Sequence, residues 1–211
     1  MTNIKKDKIL IIGAGNMGIS FLKALINNNI SSKNIAVIEK NPSKELKKIK
    51  KDKKIVVVDN ISSFNKNYKP NLVLLAVKPN QFEQLFDEKV KSFLKSALII
   101  SIIAGKKLSL LKKITGNKLK TVRAMTNTPI SVGMGISVVF FDKRTSSSSK
   151  RKSKFFLKLV GLVNEVKKET LIDSFTAIFG SGPAYIYYFI EVITKIAKKN
   201  GHENSDFMTI Q

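Results

Sequence analysis

The chain has 211 residues, 43% of them hydrophobic and none of them cysteine. This excludes disulfide scaffolds, thiolate nucleophiles and cysteine-ligated metal sites, and leaves room for one complete domain plus part of a second. The net charge of +23 would suit a nucleic-acid binder, but the 38 basic residues include only 3 arginines and the lysines run through almost every segment; bidentate recognition of bases and phosphates favours arginine, so dispersed lysine reads as solvated faces.

Lys8 to Ile12 predicts a short apolar strand. Gly13, Gly15 and Gly18 break the run too early for a secretory signal. The strand leads into a helix from Asn16 to Asn29 with Met17, Phe21, Leu22, Leu25 and Ile26 at helical spacing, and Ile35 to Ile38 predicts the next strand. A strand, helix and strand within about 30 residues form the crossover that makes neighbouring strands parallel. Further strands are predicted at Ile55 to Val58, Leu72 to Val77, Leu98 to Ile103 and Thr121 to Met125, with helical connections from Asn41, Gln81 and Leu108. This alternation predicts an α/β fold, a Rossmann-like doubly wound sheet with helices on both faces.

After Pro129 the pattern changes. Gly135 to Phe141 predicts a late strand, and Ser146 to Ser149 a loop leading into an amphipathic helix through Phe155, Phe156, Leu159 and Val160. From about Thr170 a long apolar helical region runs through Phe175, Tyr185, Tyr188, Phe189 and Ile196, interrupted at Gly180 to Pro183. It also carries Glu191 and Lys195, so it lacks the roughly 20 uninterrupted apolar residues of a membrane span. The expectation is a soluble cytoplasmic protein with an α/β domain followed by a helical region.

Gly13, Ala14, Gly15, Asn16, Met17 and Gly18 stand between the first strand and its helix, where this fold places its phosphate-binding turn. The first glycine permits the turn, the second lets the backbone approach a pyrophosphate, and the third lets helix and strand pack closely. Free N–H groups and the helix dipole then hold the anion. At the end of the second strand, Glu39 favours the ribose hydroxyl of NAD, while Lys40 and Lys44 favour the 2′-phosphate of NADP; the sequence leaves both open. Ala76, Val77, Lys78 and Pro79 follow the fourth strand at the ligand-binding edge, with Pro79 keeping Lys78 extended. Lys78 reads either as a general acid or as a cation near ribose or phosphate.

Gly13 to Gly18, Ala76 to Pro79, Ser101 to Gly105, Val122 to Pro129 and Gly180-Ser181-Gly182-Pro183-Ala184-Tyr185 resemble, in this order and at similar separations, the pyrroline-5-carboxylate reductase family. Thr126 stands where the family usually has Pro, and Phe179 where it usually has Ser. The resemblance implies hydride transfer from NADPH or NADH to the C=N carbon of 1-pyrroline-5-carboxylate, giving L-proline. A protonated imine is already electrophilic, so the protein chiefly aligns donor and acceptor. No acid–base catalyst is assigned, no metal is implied, and His202 is read as a surface residue.

The resemblance further implies that Gly13 to Gly18, Lys40, Asn41, Asn60 and Ala76 to Pro79 contact the cofactor, with Ile102, Ile103 and Ala104 near its nicotinamide. Asn127, Thr128 and Pro129 would shape the mouth between domains, and Ser181, Gly182 and Pro183 the substrate side. Glu169 is implied to face the substrate amine, and reads equally as a helix-start acid offsetting the dipole. The family continues beyond the position of Gln211 through further helices that complete the substrate pocket and the homo-oligomer. The resemblance thus implies a dinucleotide-binding domain over residues 1–168 and an incomplete helical substrate and dimerisation domain over 169–211. The chain as given is expected to reduce the imine poorly or not at all, and the alternative reading is a non-catalytic dinucleotide-binding protein or inactive fragment. Neither nucleic acid nor membrane is expected as a partner.

Overall fold

A computed structural model describes residues 4–64, 68–116 and 119–201. His202 lies outside the described residues. The strands are β1 (Ile9–Ile12), β2 (Ile35–Ile38), β3 (Val56–Val58), β4 (Leu72–Leu75), β5 (Leu98–Ser101), β6 (Lys120–Thr126), β7 (Gly135–Phe140) and β8 (Gly161–Glu165). The α-helices are α1 (Asn16–Asn27), α2 (Lys44–Lys53), α3 (Glu88–Phe93), α4 (Leu108–Thr115), α5 (Ser147–Lys158), α6 (Thr170–Phe175) and α7 (Gly182–Lys199). All the strands form one sheet in the order β3-β2-β1-β4-β5-β6-β7-β8. β1 to β6 run parallel, β7 is antiparallel to β6, and β8 is parallel to β7. The winding reverses between β1 and β4, which is where ligands of doubly wound sheets bind.

The central strands β1, β2, β4 and β5 are buried throughout. Parallel strands covered on both faces need nearly continuous apolar runs, which Ile-Leu-Ile-Ile and Leu-Val-Leu-Leu supply. Alternate residues then divide between two cores. Ile9, Ile11, Val37 and Leu74 join Phe21 and Leu25 of α1 and Phe156 of α5 on one face. The Phe21 and Phe156 rings stack at 5.2 Å. Leu10, Ile12, Leu75 and Ile99 meet Phe82, Phe86, Leu108 and Leu111 on the other. A third, smaller cluster seats Ile172 and Phe175 of α6 on Val138 of β7.

Several predicted boundaries move. The segment from Gln81 is mostly irregular, with a 3-10 turn at Glu83–Leu85 and only the short α3 capped by Asp87. The serine run is itself helical: Ser146 is the N-cap, accepting from Ser149 N, and α5 starts at Ser147. β8 was absent from the sequence-based expectation, and its residues are half-buried or exposed at the sheet edge. The interruption expected at Gly180 is a π turn, Thr176–Gly180, in which Ser181 N donates to Thr176 O at 3.0 Å. Pro183 cannot donate to the preceding turn, and the wider turn relieves that mismatch without breaking the helix.

No residue of α7 is buried; Tyr185, Tyr188 and Phe189 are each 64–69% exposed. Among the described residues no helix is long and apolar enough to cross a membrane.

Candidate functional site at the carboxyl edge of the sheet

The turn from β1 into α1 is built by close contacts rather than by side chains. Gly13 has φ +91°, and a Cβ there would meet Ala76 O at 2.7 Å and Val77 Cγ1 at 2.8 Å. The two motifs at the ends of β1 and β4 are therefore pressed together, and glycine is required by both conformation and space. Gly18 is required by space alone, since its Cβ would lie 2.1 Å from Gly13 O. Gly15 differs: its φ is −68° and nothing lies within 4 Å of a Cβ. The protein itself places no demand for glycine at that position.

Gly15 is also the N-cap of α1 and has no side-chain cap. The first N–H groups of this 12-residue helix thus have no side-chain cap and lie beside an exposed backbone, with Gly15 and Asn16 exposed and Met17 half-buried. Such an end carries about half a positive charge and fits a pyrophosphate. By this test the residues present fit a dinucleotide, and the first turn of α1 would hold its phosphates.

Glu39 acts on this turn directly. Its Oε2 accepts from Ala14 N at 2.8 Å and its Oε1 from Asn41 N at 2.9 Å. The carboxylate thereby ties the end of β2 to the glycine turn, a structural task the sequence reading did not assign to it. Beside it lies a cleft of about 350 Å³ lined by Lys40, Lys47, Lys50 and Asp59, among others. Lys44, weighed with Lys40 from the sequence, is not among its lining residues; Lys47 and Lys50, about one and two turns further along α2, are. Asn60 caps the following 3-10 turn by accepting from Ser63 N at 3.1 Å. The Ser63 hydroxyl donates to Asp59 and holds that carboxyl below its usual range.

Further along the same edge, Ala76 and Val77 are half-buried while Lys78 and Pro79 are exposed. Ile102 N donates to Leu75 O at 3.0 Å, so the loop after β5 is tied to the end of β4. Ile102 and Ile103 are buried, and Ala104 is half-buried at the rim. Asn127 is buried, and its Oδ1 accepts from Ile136 N at 2.8 Å, pinning the start of β7 to the end of β6. Thr128 is exposed at the start of a 3-10 turn.

The helical region reaches this edge through Gly180, where a Cβ would lie 3.3 Å from Met125 Cε. The π turn thus rests beside the last residues of β6, close in the chain to Asn127 and Thr128. Ser181, Gly182 and Pro183 follow at once, all half-buried, with the Ser181 hydroxyl 3.4 Å from Thr176 O.

Glu169 is committed elsewhere. Its Oε1 accepts from Arg123 Nη1 at 2.9 Å and from Leu108 N at 2.5 Å. Arg123 Nη2 donates to Asp173 Oδ1 at 2.6 Å. Arg123 is 1% exposed, the largest fully buried side chain, and the sequence reading missed its role. A signal was available: acids four residues apart on a predicted helix, and one arginine inside an apolar strand.

Family models match in two places. Residues 8–105 match the NADP oxidoreductase, coenzyme F420-dependent family, and residues 169–210 the pyrroline-5-carboxylate reductase dimerisation family. A pyrroline-5-carboxylate reductase from Aquifex aeolicus is 30% identical over 186 residues, covering 88% of this chain and 67% of that protein. The structure of a pyrroline-5-carboxylate reductase from Coxiella burnetii is similar with a TM-score of 0.77 at 31% identity, covering 92% of this chain and 72% of that one. The Plasmodium falciparum pyrroline carboxylate reductase, solved with NADP bound, has a TM-score of 0.78 at 27% identity, covering 94% and 71%.

Proposed function

Because the chain belongs to the pyrroline-5-carboxylate reductase family, we propose that it binds a nicotinamide dinucleotide along the carboxyl edge of its sheet and serves the reduction of 1-pyrroline-5-carboxylate to L-proline. The supporting observation is convergence: the glycine turn, Ala76 to Pro79, Ile102 to Ala104 and the π turn beside Met125 all meet at that edge. Residues 1–168 form the dinucleotide-binding part in this reading, and 169–211 belong to the helical part.

The dinucleotide, when bound, supplies the hydride that the C=N carbon accepts. The chain's own residues bind and orient. The first turn of α1 holds the phosphates, and Lys40, Asn41 and Asn60 flank the adenosine end. Buried Ile102 and Ile103 give the nicotinamide end a dry floor, which strengthens polar contacts made above it. Ser181, with its hydroxyl only loosely engaged, is the polar group of its segment available to the substrate carboxylate, with Gly182 and Pro183 beside it. Asn127 shapes the mouth from below through its hold on Ile136, and Thr128 is exposed at its rim. The exposed apolar side of α7 lies within the dimerisation match and is the surface a second copy would cover in a homo-oligomer. A cytoplasmic location fits the same reading, since the reaction draws on a reduced nicotinamide pool.

The test is proline formation from 1-pyrroline-5-carboxylate by purified chain with NADPH or NADH. NADPH binding together with slow proline formation above the enzyme-free background is the result this reading expects. A folded chain that binds the dinucleotide and yields no proline would favour the alternative, a dinucleotide-binding protein without catalysis.

Cofactor preference is expected to depend on Glu39 through charge. Glu39→Gln keeps an acceptor for Ala14 N or Asn41 N while removing the negative charge beside the lysine-lined cleft. The ratio of NADPH to NADH affinity should rise by up to about five-fold, the scale of an exposed charge pair. Fluorescence titration of both reduced cofactors measures it, and an unchanged ratio would mean that Glu39 serves only the turn.

A further inference from the structure

Glu169 stands where the C-terminal helices meet the sheet. It precedes α6, the first helix of the C-terminal region, and its carboxylate reaches back 61 residues to the N–H of Leu108, the first residue of α4. The N-cap of α4 is Lys107, which makes no side-chain cap, so Glu169 supplies the acceptor its own segment lacks. The loop between β5 and α4, residues 102–107, therefore has a fixed point at each end: Ile102 N on Leu75 O, and Leu108 N on Glu169. Between them Ile103 N donates to the Ser101 hydroxyl at 3.4 Å, the Lys106–Glu83 ion pair adds a tie at 3.0 Å on the surface, and Gly105 with φ +70° lets the chain turn.

The other end of the linkage is rigid. Arg123 is buried on β6 and binds Glu169 and Asp173 together, so the acid that holds Leu108 is itself held by the sheet. Seating α6 and fixing the 102–107 loop are thus one event. We propose that Glu169 is a positioning residue that locks the nicotinamide-side loop to the seated C-terminal helices, so that the loop takes its binding geometry only when α6 is docked. This rests on the dinucleotide reading above and specifies how the two parts of the chain act on one site.

Two mild substitutions test it. Glu169→Asp keeps the charge near Arg123 but withdraws the acceptor from Leu108 by one methylene, whereas Glu169→Gln keeps the reach and loses the charge. Hydrogen exchange of the Leu108 amide and affinities for NADPH and for 2′-phospho-ADP-ribose, which lacks the nicotinamide, are measured in each. The expected result is faster Leu108 exchange and roughly ten-fold weaker NADPH binding in Glu169→Asp, about the worth of one hydrogen bond, with 2′-phospho-ADP-ribose affinity unchanged. Glu169→Gln, which keeps an acceptor within reach of Leu108 N but loses the charge facing Arg123, should weaken NADPH binding and speed Leu108 exchange less than Glu169→Asp does. Equal weakening of both ligands, or no change in NADPH affinity, would overturn the proposal. Failure of the native chain to bind either ligand would overturn the dinucleotide reading, and this inference with it.

Discussion

Gly15→Val is expected to weaken dinucleotide binding by about a hundred-fold or more while lowering stability by only about 1 kcal/mol, the cost of replacing a glycine N-cap by a β-branched residue. The separation follows from the surroundings of the turn. No described residue lies within 4 Å of a Cβ at Gly15, and its backbone is in an ordinary region, so a valine Cβ meets no described atom. The same side chain would stand over the uncapped N–H groups of α1, where the phosphates must approach. Gly18→Ala is the contrasting case, because its Cβ would lie 2.1 Å from a backbone oxygen and the turn itself must shift. Titration of NADPH fluorescence alongside thermal melts distinguishes the two. Native-like affinity in a folded Gly15→Val chain would remove the phosphates from this turn.

The second large effect is on stability. Arg123→Ala is expected to cost about 3 kcal/mol, at the lower end for breaking a buried ion pair. The lower end applies because Glu169 and Asp173 are 24% and 52% exposed and can rehydrate when the guanidinium is gone. The loss includes the volume of the side chain, which is 1% exposed. For a chain of this size the melting temperature should fall by roughly 6–12 °C. A drop of under 2 °C would show that α6 is held by Ile172 and Phe175 alone. Arg123 Nε has no hydrogen-bond partner among the described residues, so the native arrangement already bears one unmet donor.

Most of the sheet was legible because buried parallel strands must be apolar throughout. Ile35–Ile38 falls at the predicted bounds, and β1, β3, β4, β5, β6 and β7 within two residues of theirs. β8 escaped because Gly-Leu-Val-Asn-Glu has little to bury; its strand conformation comes from pairing with β7, which no local pattern carries. The serines of α5 read as loop because serine favours caps over helix interiors, and one of the four is indeed the cap. The glycine turn was readable residue by residue. What could not be read was which side chains serve one another across the fold: Glu39 on Ala14, Asn127 on Ile136, Arg123 on Glu169. Each joins elements that the sequence keeps apart, and a lone polar residue in an apolar stretch gives no indication of its partner.

The π turn at Thr176–Gly180 carries a geometric consequence for everything after it. An α-helix advances about 100° per residue, so one additional residue in a turn rotates the following face by about that angle relative to the preceding one. α6 turns Ile172 and Phe175 onto the sheet, whereas α7, beyond the π turn, buries none of its residues. The wide turn therefore acts as a phase shifter between the face of α6 that meets the sheet and the exposed Tyr185, Tyr188 and Phe189 of α7.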